Sequence, residues 1–263
     1  MATLFDVTLD LARHARGLQR HKVSAVSDDG RTLTSATMEN NAGEYIRGTL
    51  WVMSGDCAGQ FAVITRAAGQ WLTIADGEVY LGEGDIVMIC PWIDFTLSDL
   101  INSVNSVLYR YPIYVWDDSL TWNPDQLTYD LPDGVTDIRQ VKIENTNGDG
   151  TYTLSHCWIE ENRQLRFHTS QALYKDGGKI QIGYRKMHGE VYEATDEIDP
   201  SVDMEYLRNM AFLYLWRTVI IIQHKDNPVA VDMFNEAKLY ESDHQKFNVP
   251  ERNIPMRSFF TRY

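Results

Sequence analysis

The stretch nearest to a chemical motif is Asn145-Thr146-Asn147-Gly148-Asp149-Gly150. Oxygen-bearing side chains at alternate positions before a glycine are how a calcium loop begins, because a hard cation is held by several oxygens. Here the first position is Asn145 rather than Asp, and His156 stands where the closing bidentate Glu belongs. The segment also joins two strand-like runs, so it reads as a hairpin turn. The 7 histidines are dispersed. His14 and His21 are a heptad apart, and His156 and His168 fall in different strand-like runs, so none forms a ligand pair with a neighbour. Asp117 and Asp118 are adjacent in sequence and so need not converge, whereas glycoside hydrolysis needs two carboxyls facing one substrate. Trp51, Trp71, Trp92, Trp116, Trp122 and Trp158 sit in β-like segments, where core packing is the usual role and sugar stacking needs several exposed together. The 3 cysteines, Cys57, Cys90 and Cys157, show no ligand spacing and read as buried free thiols. GxSxG, HExxH, a strand-linked GxGxxG and the phosphate-loop pattern are all missing. The expectation is a protein that is not an enzyme and carries no catalytic residue, cofactor or metal.

Composition agrees with a globular chain. The 263 residues are 44% hydrophobic and 23% charged, enough to build a sizeable core. A net charge of -13 argues against general nucleic-acid adhesion, which needs a basic footprint, and against attraction to anionic lipid. The acid is concentrated in 116–161 and in 190–205, as solvated faces or as surfaces that repel DNA. The N-terminus lacks a signal-peptide pattern. The most apolar run, 210–222, is too short to span a bilayer and is interrupted by Arg217. A soluble protein without a membrane partner is expected.

The elements follow from periodicity. Residues 4–18 carry Leu4, Val7, Leu11, Ala15 and Leu18 on a helical stripe, with basic residues toward the C-terminal end. Residues 22–93 alternate apolar and polar over short runs broken by turn pairs, as in a small antiparallel barrel or sandwich. In 94–112, Thr96 and Asp99 form a capping box ahead of an apolar stripe that Pro112 ends. Residues 113–195 return to antiparallel β, a second sandwich with strands at IYVW, QLTYDLP, DIRQVKIEN, TYTLSHCWIE, QLRFHTS and KIQIGYRKMH. Residues 204–224 are apolar nearly all round, which predicts a helix buried on most sides. Asn227 and Pro228 then open a second helix, so 196–247 reads as an antiparallel helical hairpin. The fold class is α+β.

The stretch 248–263, NVPERNIPMRSFFTRY, has no helical period. Its prolines, aromatics and arginines suit docking rather than floating free. The candidate docking residues are Arg252, Ile254, Pro255, Arg257, Phe259, Phe260, Arg262 and Tyr263.

In this order, the chain resembles the head-to-tail connector (adaptor) proteins of tailed bacteriophages. The resemblance is carried by GTLWVMSGDCAGQFAVITR (48–66) with GEGDIVMI (82–89), and by DFTLSDLINSVNSVL (94–108). It continues in TYDLPDGVTDIRQVKIE (128–144), the Trp158 strand, KIQIGYRKMHGE (179–190), and the paired segments 204–216 and 226–240. It covers most of the chain as a pattern. It implies a homo-oligomeric ring, typically a dodecamer, in the virion neck beneath the portal protein and above a tail or neck protein. Such a ring extends the DNA channel without binding DNA specifically. The arm would dock on the portal or on a neighbouring subunit. Other readings are another tail or baseplate component, and a carbohydrate-binding module or hydrolase using the tryptophans.

Overall fold

The computed structural model describes residues 1–15, 18–38, 44–91, 95–145, 150–168, 174, 176–220, 228, 231–232, 234–235 and 238–239. The chain is α+β, and every strand pair among the described residues is antiparallel. Its described residues form two compact units, one of 1–110 with those from 189 onward, the other of Tyr111–His188.

The first unit holds α1 (Leu4–Ala15), β1 (Gln19–Lys22), β2 (Ala25–Val26), β3 (Thr32–Thr34), β4 (Thr49–Val52), β5 (Phe61–Ala68), β6 (Trp71–Ile74), β7 (Ile86–Cys90), α2 (Leu97–Leu108) and α3 (Met204–Leu215). The sheet order is β1-β7-β4-β5-β6-β3-β2. Its two end strands are consecutive in the chain. At the step between them, Val23 N donates to Asp85 O and Ser24 N to Thr34 O. β5 likewise pairs with β4 through its first half and with β6 through its second, changing register at a bulge between Ile64 and Arg66. Two shared corner strands bend the sheet into a half-barrel round one core, which includes Leu33, Leu50, Ile64, Leu72, Val87 and Ile89. The expected small β unit is therefore present. β1 is the strand that the alternation did not expose, because only His21 of Gln19–Lys22 is buried.

α1, α2 and α3 pack on one another beside this sheet. β4 shows how they join it. All four of its residues are buried: Leu50 and Val52 enter the half-barrel core, while Trp51 faces α1. The indole of Trp51 donates to Thr8 Oγ1 at 3.2 Å, and that hydroxyl in turn donates to Leu4 O at 2.9 Å. α1 ends at Ala15, and its buried face is broader than a stripe, taking in Phe5, Thr8, Leu9 and Ala12. Its first amides are met by distant carbonyls. Leu4 N donates to Asp196 O and Phe5 N to Ala194 O. The Ala194–Ile198 stretch thus satisfies groups that a helix start leaves open.

α2 starts as the sequence indicates. Thr96 Oγ1 accepts from Asp99 N, and Asp99 Oδ2 accepts from Thr96 N at 2.8 Å. Leu97, Leu100, Val104, Val107 and Leu108 are buried. α2 ends at Leu108, and Pro112 opens the next strand. The chain re-enters the first unit at Gly189, and Asn105 ties it to α2. Asn105 Nδ2 donates to Val191 O at 2.8 Å, and Val191 N donates to Asn105 Oδ1 at 2.9 Å.

α3 was expected to be buried on most sides, and it keeps some exposed positions. Leu207, Ala211, Phe212, Leu213 and Leu215 are buried, but Met204 and Tyr214 are exposed and Met210 is half-buried. Its backbone then widens into a π-helical turn, Trp216–Ile220. Such turns arise where the regular hydrogen-bond ladder is interrupted. Of the second expected helix, residues 228, 231–232, 234–235 and 238–239 are helical.

The second unit is a β-sandwich. One sheet is β11 (Tyr152–Ser155), β10 (Ile138–Glu144), β14 (Lys179–Met187) and β8 (Pro112–Thr121) in that order. The other is β12 (Trp158–Glu161), β13 (Gln164–Phe167) and β9 (Thr128–Asp130). TYTLSHCWIE, expected as one strand, is two: the chain bends at His156–Cys157 and passes from one sheet to the other. Both sheets contribute to one core, among them Ile138, Val141, Ile180 and Ile182 facing Tyr129, Leu165 and Phe167. Trp122 sits in the middle, edge-on to Phe167 at 5.0 Å and to Tyr174 at 5.2 Å. Packed aromatic pairs of this kind add roughly 0.5–1.5 kcal/mol each beyond area burial.

Candidate assembly surfaces

The residues singled out for chemistry are dispersed or used structurally. Asn145 N donates to Thr151 O at 2.9 Å and Asn145 Nδ2 to Thr151 Oγ1 at 2.8 Å, which closes the β10–β11 hairpin. The amide of Asn145 is therefore spent on the turn; residues 146–149 lie outside the described set. Among the described residues, no group of three or more His, Cys, Asp or Glu is placed to hold a metal ion. His14 packs edge-on against Phe212, His21 is buried with Nδ1 3.0 Å from Thr37 Oγ1, and His156 and His168 are exposed. Of the cysteines only Cys90 is buried; Cys57 and Cys157 are half-buried, because each sits in a loop or bend rather than in a core strand.

Among the described residues, neither unit by itself carries two exposed tryptophans of those singled out. Trp51 and Trp122 are buried, and Trp158 is half-buried with its indole donating to Ser155 O. Trp71 and Trp116 are 38% and 39% exposed, but they belong to different units. Trp92 lies outside the described residues.

Many of the acidic side chains have local duties. In 190–205, Asp196 accepts from the amides of Tyr192 and Glu193, and these bonds hold its carboxyl below the usual carboxylate range. Asp199 accepts from Ser201 N, and Asp203 caps α3 by accepting from Glu205 N and Tyr206 N. In the sandwich, Asp118 pairs with Lys179 at 2.7 Å and Asp133 with Arg163 at 2.8 Å. Asp137, in left-handed backbone at φ 48, pairs with Arg139 and Arg185, each at 2.9 Å. Burial pushes its pKa up, but the two guanidiniums outweigh that and leave it lowered. An Asp directly before an apolar run is a sequence signal for the Asp203 cap; the pairing of the others is not local.

Three surface features among the described residues bear on assembly. The outer face of the four-stranded sheet carries Tyr114, Trp116 and Lys142. Lys142 Nζ lies 4.3 Å from the centre of the Trp116 ring, and Tyr114 meets Trp116 edge-on at 5.4 Å. Gly183 is what lets the Tyr114 ring lie there, since a Cβ at that position would meet the Tyr114 hydroxyl at 2.0 Å. The second is the set of apolar side chains that the helices leave exposed, Met204, Tyr214, Val231 and Leu239. Phe234 stacks on Trp216 at 6.1 Å, and the Arg217 guanidinium lies 6.0 Å from the Phe234 ring centre. The third is a groove between α1 and α3, about 380 Å³, lined by Asp6, Val7, Asp10, Met204, Glu205 and Arg208. Sequence reasoning missed the first and third because each joins residues far apart in the chain.

The arm residues Arg252, Ile254, Pro255, Arg257, Phe259, Phe260, Arg262 and Tyr263 lie outside the described residues. Among those described, no helix is long and apolar enough to cross a membrane. No protein-family model and no curated protein matches the chain.

Proposed function

We propose that this chain is a structural virion protein, a head-to-tail connector that forms a ring under the portal, extends the DNA channel and joins capsid to tail. The observation that carries the reading is the order of elements: half-barrel, capped helix, sandwich and apolar helix succeed one another as the resemblance implies. The exposed apolar side chains on α3 and at Val231 and Leu239 supply surface that an oligomer would cover. The Phe234–Trp216 stack supports a helical hairpin that lays the second helix back along α3. The arm docks on a partner through Phe259 and Phe260 as aromatic anchors, with Arg252, Arg257 and Arg262 pairing carboxylates. The assembly works by binding and shape, without catalysis.

Native mass spectrometry of the protein, alone and mixed with its portal protein, tests this. A ring-sized mass, or a monomer that assembles only on the portal, is expected. A monomer indifferent to the portal refutes it. Deleting 248–263 is expected to leave the fold intact by circular dichroism and to abolish docking.

A further inference from the structure

We infer that the groove between α1 and α3 is the seat for the arm, residues 248–263, of a neighbouring copy of this chain. The inference rests on the ring reading and names the partner of its docking arm.

The groove suits that occupant chemically. Its floor is apolar, with Val7 buried and Met204 exposed. Its walls are acidic: Asp6 and Glu205 are exposed, and Asp10 is only loosely engaged by Arg208 at 3.4 Å. The arm offers the complement. It has Arg252, Arg257 and Arg262 against Glu251 alone, and Phe259 and Phe260 to lie on Met204, whose thioether packs well against aromatic rings. A chain as acidic as this one, at -13, offers few other segments with such a basic and aromatic balance.

Length lets the arm reach a neighbour. The Phe234–Trp216 stack brings the second helix beside the end of α3. The sequence predicts that the helical period continues to Phe247. Pro250 and Pro255 disfavour a helix beyond that point. Sixteen extended residues reach about 50 Å, whereas a unit of the first one's size is about 40 Å across. That reach is enough to span one such unit and enter the groove of a neighbouring copy. The same groove-and-arm contact, repeated head to tail, closes a ring by rotation.

The test is charge reversal on each side in full-length protein, read as assembly mass by light scattering at low ionic strength. Glu205→Arg is expected to weaken association at least about tenfold, with Glu205→Gln giving a smaller loss. The triple variant R252E/R257E/R262E is expected to do the same, and combining it with Glu205→Arg to restore assembly. Circular dichroism confirms that each variant is folded. If the ring forms only on the portal protein, the same series is read on that complex. A wild-type ring that Glu205→Arg leaves unchanged overturns the inference while the connector reading stands. Single reversals that lose assembly with no restoration in the combination also overturn it. A wild-type protein that neither self-assembles nor joins the portal overturns the connector reading itself. A monomer whose arm is shielded from protease by its own groove overturns the neighbour assignment.

Discussion

Thr8→Val should destabilise the first unit through one hydrogen bond. Thr8 and Trp51 are both fully buried, and the Trp51 indole donates to Thr8 Oγ1 at 3.2 Å. Valine keeps the shape of threonine and removes that acceptor. A buried donor left unsatisfied costs about 1–3 kcal/mol. Exchanging the hydroxyl for a methyl returns up to about 0.8 kcal/mol of apolar burial. The net is about 0.2–3 kcal/mol, centred at about 1.5, or roughly 3–6 °C at that centre in the melting temperature of a unit this size. Calorimetry of the full chain reads it, with the first unit's transition assigned by its response. The decisive comparison is a cycle with Trp51→Phe. Phenylalanine has no N–H to satisfy, so Thr8→Val in that background should be neutral or slightly stabilising, a coupling above about 1 kcal/mol. Equal costs in both backgrounds would refute an indole–hydroxyl bond that joins α1 to β4.

Other outcomes follow from close approaches and paired charges. At Gly48 an added Cβ would lie 2.6 Å from Cys90 O and 2.8 Å from Tyr45 O, both backbone atoms that cannot swing aside; Gly48→Ala should therefore cost more than about 2 kcal/mol in chemical denaturation. Gly183→Ala meets only the tips of the Tyr114 and Trp116 side chains, so the Tyr114 ring should move and shift the Trp116 resonances in NMR spectra, while Tyr114→Ala should relieve the strain. The lowered pKa of Asp137 means that its pairing stabilises the sandwich above the unfolded carboxylate pKa, about 3.9, and that this contribution is lost as pH falls through the lower folded value. Asp137→Asn should then be less stable than wild type at neutral pH and converge with it in acid, as read by denaturation at several pH values.

Features carried by neighbours in the chain were legible in the sequence. The α2 capping box lies within four residues, and its stripe repeats every turn, so local pattern sufficed. The short alternating runs of 22–93 and 113–188 marked most strands for the same reason, since an antiparallel strand with one wet face shows its period directly. The β10–β11 hairpin, closed by Asn145 and Thr151, was legible from its turn residues. The strand Gln19–Lys22 escaped because its pairing with β7, rather than burial, holds it extended. The exposed side of α3 escaped too, because composition counts apolar residues without saying which face finds a partner.

By itself, then, the sequence determined element types, the antiparallel class and the lack of a catalytic signature, all of which depend on residues a few positions apart. Tertiary structure alone decided how the sheet bends round through β1 and β2, and which tryptophans are buried. It also decided that Ala194–Ile198 caps α1, that Asp137 takes two arginines, and that Asp6 and Glu205 share one groove. These depend on contacts between residues that are mostly tens to hundreds of positions apart, whose formation is governed by the burial of the whole core rather than by any local period.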